Sequence, residues 1–164
     1  MQSRIKSPVL TLPDALGALR TLNQASEQCD VPRTTLELLH ARVGQINGCS
    51  VCVDMHCRIL KKLGESDARI FALAAWREAP YYTEAERAAL ALAEATTRLS
   101  DRADAVTDEV WQEAARHFSE AALGGLVMTI ALANLWNRLN AATRQVGGDW
   151  IAQHVSALGS RSTS

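Results

Sequence analysis

Two cysteines, Cys49 and Cys52, stand three residues apart, and His56 follows four residues later. On an α-helix, at about 100° per residue, Cys52 sits at about -60° and His56 at about -20° from Cys49. Three reactive side chains then share one narrow face, and Cys57, at about +80°, falls off it. A dithiol at a helix N-terminus has a physical use, because unpaired backbone N–H groups and the positive end of the dipole favour thiolate over thiol. A thiol of pKa about 8.5 is roughly 3% ionised at pH 7, and one of pKa about 6.5 roughly 75%. Nucleophilicity falls with basicity by a slope of about 0.4 to 0.5, so the net gain is a factor of about three. Ionisation alone is therefore a weak catalyst. A thiolate that splits a peroxide O–O bond also needs its leaving alkoxide protonated, and a positioned acid contributes about 10² to 10⁴. His56, one turn from Cys52, is suited to that proton transfer.

A histidine so used needs a partner that sets its protonation. Glu37 is the candidate, with Glu27 and Glu65 as alternatives, because Ala41 and Gly44 lie on the same helical strip as Glu37. Small residues there would let the cysteine helix approach. His40, His117 and His154 have no comparable partners and read as surface or packing residues. Cys29 and Cys57 read as incidental, and Trp76 and Trp136 as core or interface anchors.

The elements that must position these groups are helices, since no stretch alternates apolar and polar residues long enough for a strand. The fold class expected is all-α, with about seven helices. The first runs from about Asp14 to Gln28, carrying Ala15, Leu16, Leu19, Leu22 and Ala25 on its stripe. Asp30 and Pro32 open a second, with Leu36, Leu39 and Val43 buried. Asn47-Gly48 is a turn, and a third, central helix begins at about Cys49 and stops at Gly64. Ser66 caps a fourth that ends before Pro80. Thr83 with Glu86 forms a capping box for a fifth, through Arg98. A sixth spans about Thr107 to His117, and Ser119 caps a seventh over Ala121 to Ala142. The seventh is apolar on most faces and so must be buried on several sides or against another subunit.

The 164 residues, 48% apolar, suffice for one domain with its own core, expected over residues 1–158, followed by a disordered tail over 159–164. A net charge of -1 offers phosphate no general attraction, which argues against nucleic acid. The longest apolar run, Ala121 to Ala133, is too short to span a bilayer, and no signal peptide is recognisable, so a cytoplasmic protein without a membrane partner is expected. In a reducing compartment the four cysteines read as free, catalytic or metal-bound. A zinc or redox-sensing module using Cys49, Cys52, His56 and perhaps Cys57 is an alternative, weakened because no second half-site exists. No nucleotide, flavin or haem motif occurs, so no cofactor and no catalytic metal are expected, and reducing equivalents must come from an external dithiol or another protein's thiols.

The stretch Glu37-Leu-Leu-His-Ala-Arg-Val-Gly-Gln-Ile-Asn47-Gly48-Cys49-Ser-Val-Cys52-Val-Asp-Met-His56 resembles the AhpD-like, carboxymuconolactone decarboxylase superfamily. Its alkylhydroperoxidase branch has a glutamate twelve residues before a C-x-x-C-x-x-x-H motif, the interval found here between Glu37 and Cys49. The resemblance continues through Ala75-Trp76-Arg77-Glu78-Ala79-Pro80, Thr83-Glu84 and Asn134-Leu-Trp136-Asn137-Arg138-Leu139, covering roughly residues 30 to 145. It implies an all-α fold, a symmetric homo-oligomer (trimer or hexamer) and reduction of a hydroperoxide substrate at Cys52, followed by a Cys52–Cys49 disulfide. It also implies a proton relay of Glu37 and His56. Two positions depart: the well-known peroxidases carry a histidine immediately before the second cysteine, where this chain has Val51, and many relatives have serine at Gly44. The first departure favours dithiol–disulfide chemistry over efficient peroxide reduction, and the second is expected to loosen the helix carrying Glu37. Lactone decarboxylation, the activity of the other named branch, does not rely on a C-x-x-C pair.

Overall fold

A computed structural model describes residues 2–101 and 103–159 of the chain. Among the described residues it contains nine α-helices, one 3₁₀ turn and no strand, in agreement with the all-α expectation. In chain order the helices are α1 Pro8–Thr11, α2 Ala15–Glu27, α3 Arg33–Asn47, α4 Ser50–Lys62, α5 Asp67–Ala72, α6 Glu84–Thr97, α7 Asp108–His117, α8 Glu120–Thr143 and α9 Asp149–Gly159. The 3₁₀ turn, Leu73–Ala75, follows α5. Two helices beyond the expected seven are α1 and α9. The tail expected from Gly159 lies, past that residue, outside the described residues.

Local chemistry explains where four of the helices begin. The side chains of Ser66, Thr83, Thr107 and Ser119 each accept a hydrogen bond from the backbone N–H three residues on, filling donors that a helix N-terminus leaves open. Thr83 and Glu86 complete a reciprocal capping box.

The main core gathers around α3, α6 and α8, with Leu38, Leu39, Leu60, Leu73, Leu90, Leu92, Leu126 and Ile130 fully buried. Leu36, Leu39 and Val43 are buried as expected, but the stripe of α2 is not: Leu22 is 40% exposed and only Ser26 of that helix is buried. The helix α8 is buried along one side, through Leu126, Ile130 and Ala133, and opens to solvent at Met128 and Leu135 on the other.

A buried carboxylate locks the centre. Glu94 on α6 accepts from Arg42 Nε of α3 at 2.8 Å, Trp76 Nε1 at 2.9 Å and Arg77 Nη1 at 2.5 Å. Burial opposes ionisation of Glu94, and the hydrogen bonds from Trp76, Arg77 and Arg42 outweigh it, holding the carboxyl below its usual range. A charge taken out of water needs such partners, and these three tie α3 and the segment before Pro80 to α6.

Candidate active site

The turn between α3 and α4 is only Gly48 and Cys49, and glycine makes it possible. Gly48 adopts a left-handed conformation at φ 67°, and the N–H of Cys49 closes on the carbonyl of Gly44 at 2.9 Å. Cys49 thereby becomes the N-cap of α4, and its sulfur accepts from the backbone N–H of Cys52 at 3.3 Å. Gly44 itself faces α4: a Cβ there would lie 3.2 Å from Cys52 Cβ and 3.3 Å from Val53 Cγ2. The expected loosening is not found, because α3 runs unbroken from Arg33 to Asn47 and Gly44 is buried in the contact. A side chain here would press on Cys52 and Val53, so its absence gives α3 room beside the cysteine helix.

That approach brings Glu37 to His56. Glu37 Oε2 lies 2.6 Å from His56 Nδ1, and the carboxylate is only 5% exposed, with Arg33 Nε 3.6 Å from its other oxygen. Burial opposes the charge on Glu37, but the hydrogen bond and the charge of His56 win, with His40 and Arg33 contributing less, and its pKa is lowered. An ionised carboxylate can only accept, so Nδ1 carries the proton and Nε2 is the nitrogen left for exchange. Of the alternatives, Glu65 pairs with Arg69 at 2.5 Å, and Glu27 lies near enough to feel Arg33, Glu37 and His56, with burial raising its pKa, but it is Glu37 that makes the hydrogen bond to His56.

His40, set aside in the sequence as a surface or packing residue, belongs to this cluster. Its ring stacks on His56 with centroids 4.4 Å apart and planes 6° from parallel. Burial and the neighbouring His56 push its pKa down to about 3, against an upward pull from Glu37, so it stands as a neutral ring at neutral pH. His40 lies three residues after Glu37, the same helical step that relates Cys49 to Cys52, and that register is the signal that could have found it.

Both cysteines are buried, Cys49 at 3% and Cys52 at 5% exposure, and both are free thiols. Negative charge rests on Cys49. The Cys52 thiol donates to it, burial resists, and the Cys52 N–H, Asn140 and His56 add to the stabilisation, bringing Cys49 down to about 6. Cys52 is pushed up by that same hydrogen bond, by burial and by the charge of Cys49, while the amides of Asn140 and Asn137 oppose the rise. Asn140 is a second site residue that the sequence does not mark. Its Nδ2 lies 3.5 Å from Cys52 Sγ and 3.7 Å from Cys49 Sγ.

Around the dithiol is a second apolar cluster in which Val51, Ile59, Ile151 and Val155 are buried and Met55 and Trp136 pack alongside. Ile151 and Val155 come from α9, the helix absent from the sequence expectation. It is tied to α4 by Gly147 N to Ser50 Oγ at 3.2 Å, Gly148 N to Asp54 Oδ2 at 2.9 Å and Lys62 Nζ to the Val155 carbonyl at 2.9 Å. Cys57 turns toward the main core and its thiol is pushed up by burial and Asp54, while Cys29 packs beside Gly125 of α8. Among the described residues no group of three or more His, Cys, Asp or Glu side chains is arranged to hold a metal ion. None of the described helices is long and apolar enough to cross a membrane.

An all-helical frame with a C-x-x-C pair at the start of one helix and a Glu–His pair from two packed helices defines an AhpD-like dithiol protein. The chain belongs to the carboxymuconolactone decarboxylase family, whose sequence profile matches residues 13–95. It is 36% identical over 130 residues to the uncharacterized protein YdfG of Bacillus subtilis, covering 79% of this chain and 87% of that one. It superposes with a TM-score of 0.82, at 30% identity, on an Agrobacterium tumefaciens protein of unknown function described as a candidate antioxidant defence protein AhpD, over 90% of this chain and 100% of that one. The debrominase Bmp8 is similar at a TM-score of 0.69 and 26% identity, over 83% of this chain and 73% of its own.

Proposed function

We propose that the protein is a thiol-dependent peroxidase in which Cys49 and Cys52 cycle between dithiol and disulfide, with Glu37 and His56 as proton relay. The observation that carries this reading is the 2.6 Å contact between the buried Glu37 carboxylate and His56, on the helix that presents both thiols. Its cycle begins with Cys49 as thiolate, Cys52 as thiol and His56 protonated. The Cys52 proton passes to Cys49, and the Cys52 sulfur attacks the terminal oxygen of the hydroperoxide. An S–O bond forms, the O–O bond breaks, and the alkoxide leaves with the His56 proton as an alcohol. His56 then takes the proton of Cys49, whose sulfur attacks the Cys52 sulfenic acid. The S–S bond forms and hydroxide leaves as water with that same proton. An external dithiol or protein thiol pair restores the reduced enzyme by exchange, becoming a disulfide itself.

A second reading, dithiol–disulfide reduction without efficient peroxide turnover, is favoured by Val51. That residue is buried among apolar side chains where a second histidine would supply an auxiliary proton. Steady-state turnover of an organic hydroperoxide with dihydrolipoamide, glutathione or thioredoxin as reductant separates the two. Turnover that requires both peroxide and one of these thiols is expected. Reduction of disulfide substrates with no acceleration of peroxide consumption would establish the second reading instead. Because a debrominase solved in complex with a tribromopyrrole shares the fold, a bromopyrrole belongs in the same assay as a rival electrophile.

The working form is a homo-oligomer in the cytoplasm. Its support is exposed apolar surface on two sides: Leu10 and Leu12, 66% and 62% exposed, beside the half-buried stripe of α2, and Trp111 with Met128, each 42% exposed, on α7 and α8. Light scattering at micromolar concentration should give a mass above that of one chain, and a monomer would refute the assembly.

A further inference from the structure

The side chain of Asn140 enters the dithiol from α8, ninety-one residues away from Cys49 in the sequence. It is 8% exposed, and its amide nitrogen stands between two sulfurs, 3.5 Å from one and 3.7 Å from the other. An amide has two N–H donors, and here each has a sulfur to serve. The end of α8 is held where this requires: Arg144 adopts a left-handed conformation at φ 56°, and Gln145 N closes on the carbonyl of Asn140 at 2.9 Å.

We propose that Asn140 is a catalytic residue of this dithiol, one that holds negative charge on the reduced pair and biases its equilibrium toward the reduced form. The proposal rests on the reading that Cys49 and Cys52 are the reactive pair, though not on the identity of their oxidant. A hydrogen bond to a charged acceptor is stronger than one to a neutral acceptor, so the amide does more for a thiolate than for the weakly accepting sulfurs of a disulfide. Favouring the reduced form makes a disulfide a stronger oxidant.

One helical turn earlier, Asn137 supports the arrangement. Its Oδ1 accepts from Asn47 Nδ2 at 2.8 Å, fixing α8 to the end of α3, and its own Nδ2, 1% exposed, has no partner. An unsatisfied buried donor is costly, and this one stands where it acts on Cys52.

The test uses Asn140→Leu, which removes the donors at similar volume, and Asn140→Asp, which keeps the shape and replaces them with acceptors. If the Leu variant fails to fold, the Asp variant carries the test. Two quantities are read on the reduced, full-length protein without peroxide: the midpoint of the pH–alkylation profile of Cys49, and the equilibrium constant against glutathione. The parent midpoint should fall near 6, with thiolate present above it and lost as pH falls through it. In either variant the midpoint should rise by about one unit or more, the order of effect of a charged hydrogen bond. At pH 7 a one-unit rise from 6 makes reduction of the disulfide about fivefold less favourable, or about 20 mV at 29.6 mV per decade. The midpoint is the measure, since reactivity at one pH mixes thiolate fraction with nucleophilicity. A midpoint within about 0.2 units of the parent and an equilibrium constant within about twofold, in a folded variant, would make Asn140 a packing residue. Because no peroxide is used, shifted variants of a parent that turns over no peroxide would sink the peroxidase reading and leave Asn140's role standing.

Discussion

Cys52→Ser should abolish hydroperoxide turnover, a loss of at least about 10⁴, while Cys49→Ser should stop the cycle after one equivalent of peroxide. Serine is close to cysteine in size, so both variants keep the packing of the second apolar cluster. Without Cys52 no sulfur remains in position to attack. Without Cys49 the attacking sulfur loses the base that deprotonates it and the thiol that resolves it, but also the neighbour that raises its pKa, so it reacts once, more slowly, and accumulates as sulfenic acid. The expectation runs against the resting charge, which lies on Cys49, and that makes it informative. A thiol held up by a neighbouring thiolate becomes, once deprotonated, the more basic and more nucleophilic sulfur, and the neighbour is the base that deprotonates it. Trapping with a sulfenic-acid reagent followed by peptide mapping reads the outcome. Label on Cys52 in Cys49→Ser and none on Cys49 in Cys52→Ser supports the assignment. The reverse pattern would exchange the two roles, with the N-cap thiolate as attacking sulfur and Cys52 as resolving thiol. In the parent, mild oxidation should give the intramolecular Cys49–Cys52 disulfide and leave Cys29 and Cys57 free.

The parts of this molecule that were legible in its sequence are those whose causes are local. Ser66, Thr83, Thr107 and Ser119 start helices because their own side chains close on the first turn. Gly48 ends α3 because left-handed backbone costs glycine little. The register of Cys49, Cys52 and His56 follows from helical periodicity, whereas Glu37 stands out from Glu27 and Glu65 only through the family resemblance, in which its interval from the first cysteine has meaning. What was not legible depends on contacts between distant segments. The helix α9 is eleven residues long, and a helix that short draws most of its stability from packing, here Ile151 and Val155 against the cysteine helix. An asparagine inside an apolar helix has no periodic signature, so Asn140 gains meaning only once α8 crosses the start of α4. The stripe of α2 is left half-buried, because periodicity names an apolar face without naming what covers it.

Glu37→Gln should lower peroxide turnover by roughly 10² to 10⁴, the range that general acid–base catalysis supplies, while the folded state and the disulfide survive. The substitution keeps the shape of the side chain and an oxygen that can accept from His56 Nδ1, so the ring stays oriented. What goes is the negative charge that steadies His56 as it takes and returns a proton. That charge is present near neutrality with margin to spare: the carboxyl pKa is lowered from the ordinary value of 4.5, so the ionised form is complete above that value and is lost only as pH falls below it. Loss of activity in the variant at pH 7 therefore reports the missing carboxylate and not a displaced titration of Glu37. His40 raises the stakes, because a neutral ring stacked 4.4 Å from His56 offers it no counter-charge, and Arg33 is a second cation on the same carboxylate. Glu120→Gln serves as the control, since Glu120 is exposed and takes no part in the hydrogen-bonded pair, and its turnover should stay within about twofold of the parent. Steady-state kinetics of both variants with one hydroperoxide and one dithiol, together with thiol titration after oxidation, decide the matter. If Glu37→Gln also stays within about twofold, the 2.6 Å contact orients His56 for packing alone, and the proton that leaves with the alkoxide comes from elsewhere.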